Sequence, residues 1–306
     1  MIYMKKYAIL GRLALFATAL IWGTSFVILK NTLVGISVLW VLAIRFTISA
    51  AALLLLAGKR LGRADRESVK GSILIGTCLA LAYIVQTYGL KYTTPGKNAF
   101  LTSVYCVMVP FFAWAVFKRK PGAHNILAAV LCLTGIGFVA LDSGFGSVNI
   151  GDILTLACGV LYALHIILME QYISSCDALT VSAVEFSAAA VLCLAAAVIF
   201  EPFPKAVPAD ALGGLLYLAV MCTGLCFFLQ AWGMKYTPSS SAAMIMTLEA
   251  VFGTLFSVLL YGERLTAKLV WGFALIFVAV VISEAGTDII KKLSKHRAGV
   301  CIWRQS

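Results

Sequence analysis

Four ionisable side chains interrupt long apolar stretches of this 306-residue chain, namely Arg45, His165, Glu185 and Glu249. Placing such a group in a bilayer costs about 2.5–3.5 kcal/mol on insertion scales, so each of them needs a partner or a function. Glu249 could bind a cationic group or a proton, or it could be a structural acid bonded to helix ends or hydroxyl groups. His165 is a candidate proton site, although a lone histidine on an apolar helix is more often a packing residue.

Arg45 and Glu185 occupy matching places in an internal repeat of the sequence. One hypothesis is a charge pair that acts as a gate and breaks during a conformational cycle. The simpler interpretation is that each side chain extends separately to the membrane interface, as long amphipathic side chains often do.

Polar and aromatic residues recur at spacings of three and four, which place each set on one helix face. Together these faces predict a cavity with aromatic walls and a few hydrogen-bonding groups, as small-molecule pockets prefer. The cavity candidates are Trp22, Ser25, Tyr83, Gln86, Asn98, Thr102, Tyr105, Tyr162, His165, Phe227, Gln230 and Glu249. The alternative is that the amides and hydroxyl groups only join helices to one another.

Motifs for catalysis, metal binding and nucleotide hydrolysis are absent from the sequence. The three histidines (124, 165 and 296) lack neighbours that would complete a catalytic set. The nine cysteines form no CxxC pair, and no GxxxxGK[ST] loop occurs. We therefore predict no catalytic residue, no metal site and no cofactor, with an intramembrane enzyme as a less favoured alternative.

The composition predicts an all-α integral membrane protein. The chain is 62% hydrophobic and only 12% charged, with a mean hydropathy of +0.99, whereas soluble proteins carry about 25% charged residues. A helix needs about 20 residues to cross a bilayer, and ten apolar runs predict ten transmembrane helices. The fifth, sixth and tenth runs are short, so these helices are expected to include flanking residues. The runs are Leu13–Leu29, Asn31–Ala57, Gly71–Leu90, Asn98–Phe117, Asn125–Leu141, Ile153–Met169, Ala178–Phe200, Ala211–Met234, Tyr236–Tyr261 and Leu269–Ser283.

The distribution of basic residues predicts the orientation. With a cytoplasmic N-terminus, 17 of the 24 Lys and Arg residues fall inside and 6 fall outside. Because cytoplasmic loops carry the excess of positive charge, we predict that both termini are cytoplasmic. The net charge of +11 then matches an anionic inner leaflet, so a lipid bilayer is the expected partner and no nucleic acid is.

An internal repeat divides the chain into two copies of one unit. Residues 78–93 match residues 222–237 at 7 of 16 positions with a shift of 144, and earlier segments align at a shift of 140. Each copy holds five spans, an odd number, so the second copy must be inverted. We predict a first repeat at 13–141, a second at 152–284 and a basic cytoplasmic tail at 285–306.

Glycines within the repeat also carry structural predictions. Gly89 and Gly233, each before Lys-Tyr-Thr, are predicted to end the third and eighth helices. Gly135 and Gly137, and Gly272 with Ala274, are predicted to let helices approach closely. Repeats of this kind often enclose a substrate site near the bilayer centre.

The motifs in their order resemble the EamA-type branch of the drug/metabolite transporter superfamily. The resembling residues are Ile21-Trp22-Gly23-Thr24-Ser25-Phe26, Arg45-Phe46, Gly89-Leu90-Lys91-Tyr92-Thr93-Thr94, Asn98-Ala99-Phe100-Leu101, Thr247-Leu248-Glu249-Ala250-Val251-Phe252 and Gly262-Glu263-Arg264-Leu265. The resemblance implies a ten-helix plasma-membrane exporter of amino acids, other metabolites or drugs, with a central cavity and alternating access. Ala250 stands where the family usually has proline, so the kink that proline would cause is not expected there.

The leading functional hypothesis is a secondary transporter of a small-molecule substrate, with a proton as a candidate coupling ion. A sugar-phosphate or nucleotide-sugar carrier of the same superfamily is the alternative, but it would need several basic residues in the cavity. Only Arg45 and Lys97 are candidates for that role. A channel is disfavoured because no ring of charges is evident, and the sequence indicates no oligomeric state.

Overall fold

The computed structural model describes residues 2–140, 149–173, 178–204, 207–237 and 245–302, and all regular secondary structure in these ranges is helical. The α-helices in chain order are α1 (Ile2–Gly35), α2 (Val38–Ala57), α3 (Arg66–Tyr92), α4 (Pro95–Thr102), α5 (Tyr105–Phe117), α6 (Ala123–Ala140), α7 (Ile150–Ile173), α8 (Ala178–Phe200), α9 (Ala209–Tyr217), α10 (Cys226–Tyr236), α11 (Leu248–Phe256) and α12 (Ala267–Ile302). A 3₁₀ turn at Gly58–Arg63 follows α2, and π-helical segments at Leu218–Leu225 and Ser257–Tyr261 follow α9 and α11.

Within the described ranges, seven helical segments are long and apolar enough to cross a membrane, the first at Ile9–Gly35 and the last at Ala211–Gln230. Three shorter apolar helices lie at Ala123–Val139, Leu248–Tyr261 and Ala267–Ser283. These segments overlap the stretches that the sequence predicts as spans, so the all-helical membrane class is confirmed. Part of the predicted ninth span (238–244), Leu141 and the last four residues of the predicted tail lie outside the described residues.

Several helices depart from the predicted uniform spans. The fourth span is two helices, α4 and α5, separated at Ser103 and Val104. The eighth is interrupted by the π-helical segment between α9 and α10. Helix α11 runs through Ala250 without a break, as expected where proline is missing. Helix α12 continues to Ile302, well into the residues predicted as a tail.

Two groups of helices pack around α1 and α7. Helix α1 contacts α9, α10 and α11, and we call these four helices the α1 bundle. Helix α7 contacts α3, α4 and α5, and we call these four the α7 bundle. The bundles meet where α11 contacts α4, while α2 packs against α8 and α6 against α12. Under the repeat alignment, the neighbours of α1 are the counterparts of the neighbours of α7.

Glycines allow close helix crossings within the two bundles. A Cβ atom on Gly233 of α10 would lie 2.8 Å from the carbonyl oxygen of Gly11 in α1. A Cβ atom on Gly151 of α7 would lie 2.7 Å from the carbonyl oxygen of Gly89 in α3. The two crossings are repeat counterparts, because Gly11 aligns with Gly151 and Gly89 with Gly233.

The prediction that Gly89 and Gly233 end their helices is therefore wrong, since α3 continues to Tyr92 and α10 to Tyr236. Glycine occupies these positions because a side chain at either crossing would collide with the facing backbone, and not because the helix ends there. The predicted close approach at Gly135 and Gly272 is confirmed: a Cβ on Gly135 would lie 2.8 Å from the Gly272 carbonyl oxygen. The same prediction is wrong for Gly137, because nothing lies within 4 Å of its Cβ position, and Ala274 is exposed.

Candidate functional site: a central aromatic row

Six aromatic side chains form a continuous row that runs from the α7 bundle through α2 and α8 to the α1 bundle. Successive ring centroids are 5.7, 5.2, 5.8, 4.8 and 5.4 Å apart, within the range of favourable aromatic contacts. In order, the row consists of Tyr162, Tyr83, Phe46, Phe186, Phe227 and Trp22. Under the repeat alignment the row maps onto itself, since Tyr162 corresponds to Trp22, Tyr83 to Phe227 and Phe46 to Phe186.

The row has a buried middle and two more open flanks. Phe46 and Phe186 are completely buried. The outer members, Tyr83 and Tyr162 on one side and Phe227 and Trp22 on the other, remain partly exposed although they contact other helices. A partly exposed region therefore lies at each end of the row. We name the two regions the Gln86 flank and the Gln230 flank after the aligned amides beside them.

On the Gln86 flank, hydrogen bonds satisfy the amide side chain. The Tyr162 hydroxyl donates to Gln86 Oε1 at 2.8 Å, and Gln86 Nε2 donates to Thr102 Oγ1 at 3.1 Å. The Tyr105 ring lies 6.1 Å from the Tyr162 ring. Four predicted cavity residues thus come together from α3, α4, α5 and α7.

Asn98 beside this flank joins helices. It is completely buried, and its Nδ2 donates to Thr155 Oγ1 at 2.7 Å and to the Gln86 carbonyl oxygen at 3.4 Å. These contacts link α4 to α7 and α3. For Asn98 the structure therefore favours the helix-joining interpretation over a place on the cavity wall.

On the Gln230 flank, the aligned amide has a weaker partner. Gln230 Nε2 donates to the Met246 sulfur at 3.6 Å, and a thioether is only a weak acceptor. Trp22 Nε1 donates to the Cys222 carbonyl oxygen at 2.7 Å, and the Ser25 hydroxyl donates to the Trp22 carbonyl oxygen at 2.6 Å. Met246 aligns with Thr102, so a methionine replaces a hydroxyl group at the same place.

The repeat alignment assigns Glu249 to the Gln230 flank. It aligns with Tyr105, its side chain is partly exposed, and no hydrogen bond or ion pair joins it to another side chain of the described ranges. Arg45 lies within electrostatic range of its carboxyl group. An unpaired carboxyl group inside a membrane bundle is costly, which makes it a candidate to bind a cationic group or a proton.

Arg45 is held against the row. Its Nε donates to Thr223 Oγ1 at 2.5 Å, and its guanidinium carbon lies 4.8 Å from the centre of the Tyr83 ring, a cation–π contact. Within the described ranges the guanidinium makes one bond to Thr223 and a long contact to the Tyr83 hydroxyl at 3.5 Å, so it retains donor capacity toward other groups.

Glu185 pairs with His165 rather than with Arg45. The distance from His165 Nε2 to Glu185 Oε1 is 2.6 Å, and both side chains are buried. No ion pair joins Arg45 to Glu185 within the described part of the chain. Both residues are only 2% exposed, so neither extends to the protein surface as the interfacial interpretation required.

Sequence inspection missed several residues of the site. Phe46 and Phe186 form the middle of the row, and their recurrence in the repeat was the available signal. Thr223 and Thr155, which bind Arg45 and Asn98, carried no signal, because single threonines in apolar helices usually serve packing. Among the described residues, no group of three or more His, Cys, Asp and Glu side chains is placed to hold a metal ion.

Comparison with known proteins decides the family. The sequence matches the EamA-like transporter family twice, over residues 9–141 and 149–284. The chain belongs to the EamA-like transporter family. The resemblance seen in the sequence is thereby confirmed, and the protein is a multi-pass membrane transporter of the drug/metabolite transporter superfamily.

Individual relatives agree with this assignment. An uncharacterized transporter of Archaeoglobus fulgidus is 35% identical over 279 residues, which cover 91% of this chain and 86% of the relative. The uncharacterized transporter YoaV of Bacillus subtilis is 24% identical, with 86% and 93% covered. A protein of known crystal structure superposes with a TM-score of 0.66 at 18% identity, covering 89% of this chain and 96% of the other, and so shares the fold.

Proposed function

We propose that this EamA-family protein is a secondary transporter that exports small organic solutes by alternating access, with the solute bound beside the aromatic row. The observation that carries the proposal is the Glu249 carboxyl group, which lies within electrostatic range of Arg45 but makes no hydrogen bond or ion pair within the described residues. A membrane-embedded carboxyl group that no protein side chain bonds is most simply explained by a ligand or a proton that bonds it. Aromatic walls with a few polar groups are also typical of small-molecule sites.

The proposed architecture is ten spans in two inverted five-helix repeats, 13–141 and 152–284. Three independent features support it: the paired glycine crossings, an aromatic row that maps onto itself, and two separate matches to the family. Transport would then follow from rocking the α1 bundle against the α7 bundle around a central site.

We propose that both termini are cytoplasmic and that the protein resides in the plasma membrane, with residues 285–306 inside. The excess of basic residues on one side supports this orientation. Tags at positions 120 and 264 can be tested with a membrane-impermeant reagent on intact cells. The tag at position 120 should be protected from the reagent, and the tag at position 264 should react with it. Finding both tags on the same side would refute the inverted repeat.

The proposed substrates are amino acids, related metabolites or drugs that offer a cationic group to Glu249 and an apolar part to the row. The phosphate-carrier alternative has less support. Lys97, one of its two basic candidates, lies 3.7 Å from Asp152 in a buried ion pair, so its charge is already engaged by the protein.

A proton is the proposed coupling ion, and two sites are candidates for it. Glu249 is unpaired, and the buried pair of His165 and Glu185 can share one proton across 2.6 Å. A buried carboxylate and imidazole are stabilised together when the proton lies between them.

Counterflow in liposomes tests the proposed function. Purified protein would be reconstituted into vesicles loaded with unlabelled solute, and uptake of labelled amino acids, sugar phosphates and lipophilic cations would be measured. Saturable counterflow of an amino acid or a cation supports the proposal, and that of a sugar phosphate favours the alternative carrier. Chemical conversion without flux, or no flux of any member, contradicts transport by this route.

A further inference from the structure

A lysine from the α1 bundle holds the end of α3. Lys30 Nζ donates to the carbonyl oxygens of Leu90, Lys91 and Thr93 at 2.7, 2.9 and 2.8 Å. The last carbonyl groups of a helix have no partner within it and form the negative end of the helix dipole. The ammonium group of Lys30 therefore satisfies the C-terminus of α3 from the opposite bundle.

A carboxylate that follows α11 holds the start of α4. Glu263 accepts hydrogen bonds from the Thr94 hydroxyl at 2.5 Å and from the Gly96 amide at 3.0 Å, and the Ser257 hydroxyl also donates to it. It is only 9% exposed. An anion at a helix N-terminus satisfies free amides and interacts favourably with the dipole.

Lys30 and Glu263 bind the same turn, one on each side of its midpoint in the sequence. Lys30 binds before, and Glu263 after, the junction of Thr93 and Thr94 that connects α3 to α4. Both helices of that turn belong to the α7 bundle, whereas Lys30 lies in α1 and Glu263 follows α11 of the α1 bundle. Separating the bundles at this end must break both sets of bonds, and we call the pair the turn clamp.

A third contact spans the same end of the molecule. Glu201, just after α8, accepts from the amides of Leu39 and Trp40 at the start of α2, at 2.9 and 3.3 Å. It also accepts from the Tyr88 hydroxyl near the end of α3 at 3.0 Å. At the end of the molecule that carries the α3–α4 turn, helix ends are therefore joined by the charged side chains of Lys30, Glu263 and Glu201.

The sequence reverses both clamp charges at the opposite end. Lys30 aligns with Glu170 at a shift of 140, and Glu263 aligns with Arg119 at a shift of 144. The turn itself aligns with Thr237 and residue 238. A glutamate near a helix C-terminus and an arginine near an N-terminus are both unfavourable to the helix dipole, so these residue types cannot build the same clamp there.

We propose that Lys30 and Glu263 close the α3–α4 end of the transport path and bias the protein toward the state open at the other end. In the proposed orientation, the clamp closes the extracellular side and the favoured opening is cytoplasmic. This inference rests on the proposed transport function. Opening outward would require water to solvate both charges as their contacts to the helix ends break.

Thiol labelling of a cavity reporter tests the clamp without any solute. Ser25→Cys places a thiol on α1 beside the Gln230 flank, and its labelling by a membrane-impermeant reagent on intact cells reports outward opening. Lys30→Met and Glu263→Gln should each raise the labelling rate about tenfold, which corresponds to about 1.4 kcal/mol. The parent chain without the reporter gives the background from its native cysteines, seven of which are buried and free.

Two further variants supply a control and an uncharged substitution in the turn clamp. Glu67→Gln is the matched control, because this exposed carboxylate pairs with Lys70 near the other end of α3 and should leave labelling unchanged. Thr94→Val removes one donor to Glu263 with no change in charge and should give a smaller increase. It remains informative if a charge variant does not fold, as judged by size-exclusion chromatography.

Unchanged labelling in the folded clamp variants would overturn the inference, as would an equal increase from both sides of the membrane, which indicates general loosening. Because labelling needs no solute, this failure is distinct from failure of the transport proposal. Saturable counterflow with unchanged labelling rejects only the clamp, whereas increased labelling without flux of any solute rejects only transport.

Discussion

The two flanks of the aromatic row occupy equivalent places but differ in chemistry. Gln86 has a hydroxyl group on each side of its amide, from Tyr162 and Thr102. Among the described residues, Gln230 bonds only to the Met246 sulfur, and Glu249 is the residue that aligns with Tyr105 of the other flank. The repeat thus supplies a symmetric frame of backbone and rings. Single side chains satisfy the hydrogen-bonding groups of one flank and leave the other with a carboxyl group that no described side chain bonds.

The same contrast holds for the two ends of the molecule. One end carries the lysine and glutamate that suit helix dipoles, and the sequence of the other end carries the opposite charges. A symmetric fold can adopt two mirrored states of equal energy, so differences of this kind decide which state is favoured.

The largest expected effect is on transport by Glu249→Gln. Removing the charge of the unpaired group should lower the initial rate of counterflow at least tenfold, because a buried charge contact to a ligand contributes about 1.5–3 kcal/mol. Tyr105→Phe on the other flank is the matched variant and should retain more than half of the rate. A rate near wild type for Glu249→Gln would remove the functional contrast between the flanks.

The symmetric frame itself can be tested at the glycine crossings. Gly89→Ala and Gly233→Ala should each destabilise the protein by about 1–3 kcal/mol, since a methyl group would press on the facing helix. Both should lower the melting temperature in detergent by similar amounts. Gly137→Ala is the control, because nothing lies within 4 Å of its Cβ position and alanine favours a helix. Clearly unequal losses at the two crossings would contradict an equivalent frame.

The aligned amides should differ in their contribution to stability. Gln86→Leu leaves the Tyr162 hydroxyl without its acceptor and should cost about 1–3 kcal/mol. Gln230→Leu loses only a bond to sulfur and should cost less than about 1 kcal/mol. Melting temperatures of the two variants, measured side by side, check the order. Equal losses would show that the flanks are equally satisfied.

The smallest expected effect comes from His165→Gln. A glutamine amide can still donate to Glu185, so the folded state should be kept and counterflow should fall no more than about threefold. Ser25→Ala, the aligned position in the first repeat, is the comparison variant. A loss as large as that of Glu249→Gln would move the essential ionisable site from the Gln230 flank to the histidine pair.

Much of the fold follows from local features of the sequence. Apolar runs of about 20 residues predict membrane helices because backbone groups in lipid must be bonded within the segment. The break at Ser103 and Val104 and the π-helical segment at Leu218–Leu225 were not predictable in this way. They depend on how neighbouring helices pack, and hydropathy does not report packing.

The candidate site was predicted as a set of residues and not as a set of contacts. Helical spacing correctly placed Gln86, Thr102 and Tyr162 near one another. It could not reveal that Asn98 is completely buried between helices, because a cavity residue and a helix-joining residue share the same pattern of spacing.

By itself, the sequence determined that the chain is a membrane protein, that it contains an internal repeat, and that aligned positions of the two repeats differ in charge. These properties depend on residue type and order alone. Only the tertiary structure decided which charges find partners. Glu185 pairs with His165, and Lys30 and Glu263 bind the two ends of one turn. Glu249 makes no hydrogen bond or ion pair within the described residues. The reason is that pairing acts across a few ångströms between helices that are far apart in the chain, and such distances exist only after the helices have packed.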